Sequence, residues 1–169
     1  MPTPNAYRVI QKQTLSSAAA GFTFTSIPST YSHLALSVCF PTTGSNAYTS
    51  KAYFNNDGTG GNYNSQRLFE AGGTVTADRP TSNFLSGGWS LGGTSIGYDS
   101  QSSMLFYVFD YKRTNMYKHT IARVSDNDGG YHGYFAGLWK STAAITRFDW
   151  ESTTTQLPIG SVATLYGIL

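Results

Sequence analysis

The chain has 169 residues, the size of one domain, and folding can bury roughly two-thirds of the surface its unfolded form exposes, so it needs no covalent staple. Charged residues make up 12%, about half of the roughly 25% usual in soluble domains, and 11 basic against 9 acidic residues leave a net charge of +2. These charges are scattered singly, with no run that would track a phosphate backbone, and no apolar stretch approaches the ~20 residues of a membrane helix; neither nucleic acid nor a membrane is an expected partner.

The start, Met1-Pro2-Thr3-Pro4, has no basic, then apolar, then small-residue pattern of a secretory signal, so synthesis and retention in a cytoplasm are expected, with residues 1–6 as an N-terminal arm. From there the chain reads as short strands: Tyr7 to Gln11, Phe22 to Ser26, then His33 to Phe40, where Leu34, Leu36, Val38 and Phe40 alternate onto one face. Cys39, alone in the chain, excludes an internal disulfide and reads as a partly buried strand residue. Further strands are expected at Tyr48 to Phe54 and Gln66 to Phe69, separated by the glycine-rich turn from Asn56 to Asn62. The segment 71–103 is the least regular and reads as long loops, with one short strand near Trp89 to Leu91.

Met104 to Lys112 is apolar on both faces at its centre, as a strand in the middle of a sandwich should be. Met116 to Val124, Tyr131 to Trp139, Ile145 to Glu151 and Ser161 to Ile168 complete the set, each rich in aromatic or β-branched residues. No window carries the 3.6-residue apolar period of a helix. Eight or more short strands with closely spaced turns predict an all-β fold: one antiparallel β-sandwich domain, jelly-roll-like.

Chemistry-bearing constellations are scarce. Asp57 and Asp126-Asn127-Asp128 lie in turns, where Asp and Asn bond their own backbone; their clustered oxygens are of the kind calcium takes, but the EF-hand pattern is missing. Asp149 should share a face with Arg147 and Glu151 in a surface ion pair. His33, His119 and His132 fall in different strands without metal-ligand spacing, and no Gly-x-Ser-x-Gly elbow opens a helix. The expectation is a protein that is not an enzyme, with no catalytic residue, cofactor or metal.

Aromatic residues stand out at 15%, with 12 tyrosines. Tyr53, Tyr63, Tyr98, Tyr131 and Tyr134 lie in or beside glycine-rich turns, and Trp89 follows Gly87-Gly88. They either stack on sugars or anchor a protein interface, or else they wall the core and cover strand edges. Under the first reading the contact surface comprises Tyr63, Trp89, Tyr98, Tyr131 and Tyr134.

Several segments, in a consistent order along the chain, together resemble small tailed-bacteriophage virion proteins of jelly-roll type, the capsid decoration (cement) proteins and tail-fibre tip domains. They are Phe24-Thr25-Ser26-Ile27-Pro28-Ser29-Thr30-Tyr31-Ser32-His33-Leu34-Ala35-Leu36; Tyr53-Phe54-Asn55-Asn56-Asp57 with Asn62-Tyr63 and Arg67-Leu68; Asp110-Tyr111-Lys112-Arg113-Thr114-Asn115-Met116-Tyr117-Lys118; Gly137 to Thr146; and Leu165-Tyr166-Gly167-Ile168. The resemblance implies a place on the virion but no catalytic residue. Its leading form is a decoration protein stabilising the head shell, with the major capsid protein or other virion proteins as partners; the alternative is a tail-fibre or tailspike receptor-binding module that takes host glycans. The low-charge, tyrosine-rich composition adds the expectation of a homo-oligomer, a trimer.

Overall fold

The computed structural model describes residues 6–41, 49–71, 73–79, 81–82, 85–88, 101–126, 131–153 and 156–169. Among them are thirteen strands: β1 (Tyr7–Thr14), β2 (Gly21–Phe24), β3 (His33–Pro41), β4 (Ser50–Phe54), β5 (Tyr63–Ala71), β6 (Thr74–Asp78), β7 (Thr81–Ser82), β8 (Leu85–Gly88), β9 (Gln101–Val108), β10 (Lys118–Asp126), β11 (Tyr131–Trp139), β12 (Phe148–Ser152) and β13 (Val162–Ile168). They form two antiparallel sheets packed as a sandwich. The large sheet has the order β1-β13-β3-β9-β10-β11-β5-β6, with β7 also paired to β5, and the small sheet runs β2-β12-β4-β8.

The two-residue periods decide which side chains meet between the sheets. In β3 the predicted set Leu34, Leu36, Val38 and Phe40 is buried, and the register carries the inward face across Phe106, Ala122 and Phe135. From the small sheet come Phe22, Phe24, Ala52, Phe54, Phe148 and Trp150. Aromatic pairs bridge the layers: Phe106 meets Phe148 edge-on at 5.4 Å, Phe54 meets Trp139 at 5.5 Å and Phe40 meets Trp150 at 6.3 Å. Such contacts add about 1 kcal/mol each beyond area burial.

Segment 71–103, expected as loops, contributes β6, β7 and β8 and the start of β9. Its strands are short or, like β6, exposed along their whole length, so they show no apolar alternation. Leu85 of β8 nonetheless reaches the core. The expected strand near Trp89 to Leu91 lies outside the described residues. Met104 to Lys112 starts earlier and ends at Val108, because Asp110 takes a left-handed φ of 49° and turns the chain.

Among the described residues one cation is fully buried. Lys118 lies on the inward face at the start of β10, where its ammonium donates to the carbonyls of Met116 (2.9 Å) and Thr142 (3.2 Å), and desolvation lowers its pKa. Tyr63 and Tyr111 are buried too. Desolvation raises both phenols; Tyr63 donates to the Asp57 carbonyl and Tyr111 to that of Pro28.

These tyrosines give an expected alkaline instability. Their folded pKa values lie above the ordinary 10, so above pH 10 the unfolded chain releases protons that the folded chain keeps. Stability is therefore complete below pH 10 and falls above it, by on the order of 1 kcal/mol per pH unit for each such phenol. Lys118 acts in the opposite sense, since its lowered pKa lets stability rise only until the unfolded amine has titrated near 10.5. Urea midpoints at pH 9, 10 and 11 should show the fall, and Tyr63→Phe should make it shallower.

Candidate functional site

Only one face of the large sheet is covered by the small one. On the other face the register aligns one row across the whole path: Lys12, Thr164, Ser37, Leu105, Arg123, Tyr134, Leu68 and Ala77. Two residues along the strands, Tyr166, Ala35, Tyr107, Ile121, Ala136 and Gln66 form the neighbouring row. Apolar side chains stand in solvent at the centre of this face, with Tyr134 54%, Leu68 49% and Ile121 49% exposed.

Three adjoining depressions mark this face. The central one, about 710 Å³, is floored by Leu68, Ala77, Ile121, Tyr134 and Ala136, with Gln66, Arg79 and the ion pair of Arg67 with Asp78 at its margin. Towards the β9 side lies a polar depression of about 410 Å³ that includes Ser37, Ser103, Arg123 and Ser125. A smaller one, about 210 Å³, is lined by Asn64, Gln66, His119 and Arg79 among others. The arrangement is an apolar centre with a polar margin, the anatomy of a protein contact surface.

The Arg123 guanidinium sits 5.7 Å from the Tyr134 ring centroid, a cation–π contact that holds both side chains. Arg79 and Arg123 are exposed, and among the described residues neither has a carboxylate within ion-pair distance. Glu70 lies on the same face, but its carboxylate accepts the Gly73 N–H at 2.5 Å and closes the β5–β6 turn.

The outward face of the small sheet is polar and internally paired. Asp149, fully buried, accepts two bonds from Arg147 at 2.7 Å and the Thr23 hydroxyl at 2.8 Å, so the expected ion pair exists, although its carboxylate lies out of solvent. Glu151 accepts from the Tyr53 hydroxyl at 2.5 Å and pairs with Lys51 at 3.0 Å. Burial first, and then the bond to Glu151, push the Tyr53 phenol well above its ordinary range, making it a fixed donor rather than a base. The cluster ties β2, β4 and β12 together.

Asp57 is a structural acceptor. Its Oδ2 takes the Trp139 indole N–H at 2.7 Å and the Asn62 amide at 2.9 Å, and its Oδ1 takes the Thr59 N–H at 3.0 Å. Both oxygens are occupied by N–H donors, an arrangement that suits a carboxylate anchoring a turn, not a cation ligand. The second oxygen cluster considered for calcium, Asp126 to Asp128, lies outside the described side chains. Among the described residues no group of three metal-ligating side chains occurs.

The predicted contact residues separate. Tyr134 is exposed at the centre of the outer face. Tyr63 is corrected to a core residue: β5 turns it inward, where it stacks on Trp139 (centroids 6.4 Å, 15° between planes) and its hydroxyl accepts the Phe54 N–H. Tyr131 opens β11 but its side chain is outside the described set, as are Trp89 and Tyr98. Leu68, Ile121, Arg123 and Arg79 were not anticipated. The signal for the middle two was available in β10, where His119, Ile121 and Arg123 alternate with the buried Thr120, Ala122 and Val124.

No protein-family model and no curated protein sequence matches the chain. Among solved structures, galectin LEC-6 of Caenorhabditis elegans overlaps 91% of this chain and 94% of its own at 8% identity and a TM-score of 0.36. Xenopus laevis galectin-Ib overlaps 86% and 99% at 12% identity and a TM-score of 0.34. Scytalido-glutamic peptidase overlaps 87% and 74% at 15% identity and a TM-score of 0.33. Overlaps this loose carry no statement about what this protein binds or catalyses.

Proposed function

We propose that the protein is a non-catalytic structural component of a bacteriophage particle, a decoration protein that docks on the head shell through the outer face of its large sheet and stabilises contacts between major capsid protein subunits. The observation that supports a docking role is the apolar centre of that face, with Tyr134, Leu68 and Ile121 standing in solvent. Exposed apolar patches of this kind mark protein contact sites. The resemblance of the segments around Phe24, Tyr53, Asp110 and Gly137 to virion proteins supplies the particle. Multiple copies on a repeating lattice need only modest affinity each, because effective concentration does the rest, and a trimer fits such a lattice.

The test adds purified protein to heads that lack it. A fixed, saturable number of copies per head and slower release of DNA on heating are expected, and Tyr134→Ala should weaken binding by about tenfold or more, as for a central aromatic contact. Protein that ignores heads but binds host surface polysaccharide would replace this reading with the tail-fibre tip. Light scattering at micromolar concentration checks the trimer.

A further inference from the structure

We infer that the surface received by the outer face is an acidic stretch of a protein partner, one in which carboxylates alternate with apolar or aromatic side chains. The inference rests on the docking role proposed for this face and names the chemistry of its occupant. Two observations carry it. The first is charge: Arg79 lines the central depression, Arg123 lines the polar one and sits over the Tyr134 ring of the central floor, and neither has a carboxylate within ion-pair distance among the described residues. Guanidinium groups held this way, one braced on an aromatic ring, take carboxylates through paired N–H donors.

The second observation is the floor between them. Leu68, Ala77, Ile121, Tyr134 and Ala136 make it mainly apolar; of the polar groups that also line it, Asp78 is engaged by Arg67, which leaves the Gln66 amide and the Tyr134 hydroxyl beside Arg79. A sugar ring laid there would find few partners for its many hydroxyls, and each one buried unpaired costs about 1–3 kcal/mol, whereas Leu, Phe or Tyr side chains would lose nothing. A nucleic acid strand would need a continuous line of cations, not separate ones beside an apolar floor. The occupant that satisfies both parts is a polypeptide with acidic groups flanking apolar ones.

The probe is a fluorescein-labelled random copolymer of glutamate and tyrosine, read by anisotropy against the intact protein, with a lysine–tyrosine copolymer, polyglutamate and polygalacturonate as comparisons. The glutamate–tyrosine copolymer should bind most tightly, and raising salt from 50 to 300 mM should weaken it several-fold. Arg79→Glu/Arg123→Glu should lose at least about tenfold and turn the preference towards the lysine–tyrosine copolymer. Arg79→Gln/Arg123→Gln should lose affinity without the reversal, and unchanged melting of both variants shows that folding is intact. Equal binding of both tyrosine copolymers, or no effect of the charge reversal, overturns the inference. So does polygalacturonate binding as tightly as the glutamate–tyrosine copolymer, which would assign the face to an acidic glycan. Head binding that survives the charge reversal would remove this inference and leave the decoration role standing. Copolymer selectivity without head binding would do the opposite.

Discussion

Asp57→Ala should destabilise the protein by about 3 kcal/mol or more, the largest effect expected of any polar substitution here. The carboxylate accepts three N–H groups, from Trp139, Asn62 and Thr59, and Trp139 is buried. Removing the acceptor strands the indole N–H out of water, which costs about 1–3 kcal/mol by itself, and frees the turn that the other two bonds fix. The same turn supplies the Asp57 carbonyl to Tyr63 and is held from outside by the Lys140 ammonium on the Gly61 carbonyl at 2.9 Å. The acid dependence follows from the same contacts. Burial alone would raise the Asp57 pKa, but the donors from Trp139, Asn62 and Thr59 outweigh it and bring the value from 3.8 down to about 2. The unfolded chain therefore binds the extra proton first, and the stabilisation present above pH 4 is lost as pH falls towards 2. Urea titrations followed by tryptophan fluorescence at pH 6, 4 and 2 should show this loss, and Asp57→Asn should show a smaller one. An Asp57→Ala variant as stable as the parent would contradict the assigned role.

Gly21→Ala should cost about 3 kcal/mol, because the new methyl group has nowhere to go. An added Cβ would lie 2.1 Å from the Trp150 carbonyl oxygen and 2.6 Å from the Glu151 Cα, both backbone atoms of β12. β12 is paired on its other side to β4, so it cannot yield without breaking a second ladder. The strain falls on β2 instead, which would lift and partly uncover Phe22 and Phe24. For a domain of this size the midpoint of thermal unfolding should drop by roughly 10 °C. Gly58→Ala is the control: open space surrounds its Cβ position, and the change should be within about 0.5 kcal/mol.

The fold was readable where strands are half-buried. β3 carries alternation strong enough to place it, and β10 to β13 are rich enough in aromatic and β-branched residues to be placed within a few residues, because each sends side chains into the core. β6 to β8 were not, since Thr74 to Asp78 are exposed on both faces and their strand identity comes from pairing with β5, a non-local fact. The site was half readable. Tyr134 follows from its place beside a turn, but Tyr63 has the same local surroundings and the opposite fate, since the β5 register assigns it to the inner face opposite Trp139. Arg79, just past the end of β6, and Leu68 of β5 converge from separate stretches, and no single stretch of sequence announces that.

The pairing order also sets when this protein can fold. β13 lies between β1 and β3, and β12 between β2 and β4, so among the described strands the two earliest of each sheet are joined through partners from residues 148–168. On the ribosome, β1 and β2 must wait with their hydrogen-bonding edges open until residues 148–168 have been made. Folding is therefore a late, concerted event, slow as befits long-range contacts. Delaying the ribosome just before Phe148 should leave a nascent chain open to protease, and releasing it through Ile168 should make the whole domain resistant at once.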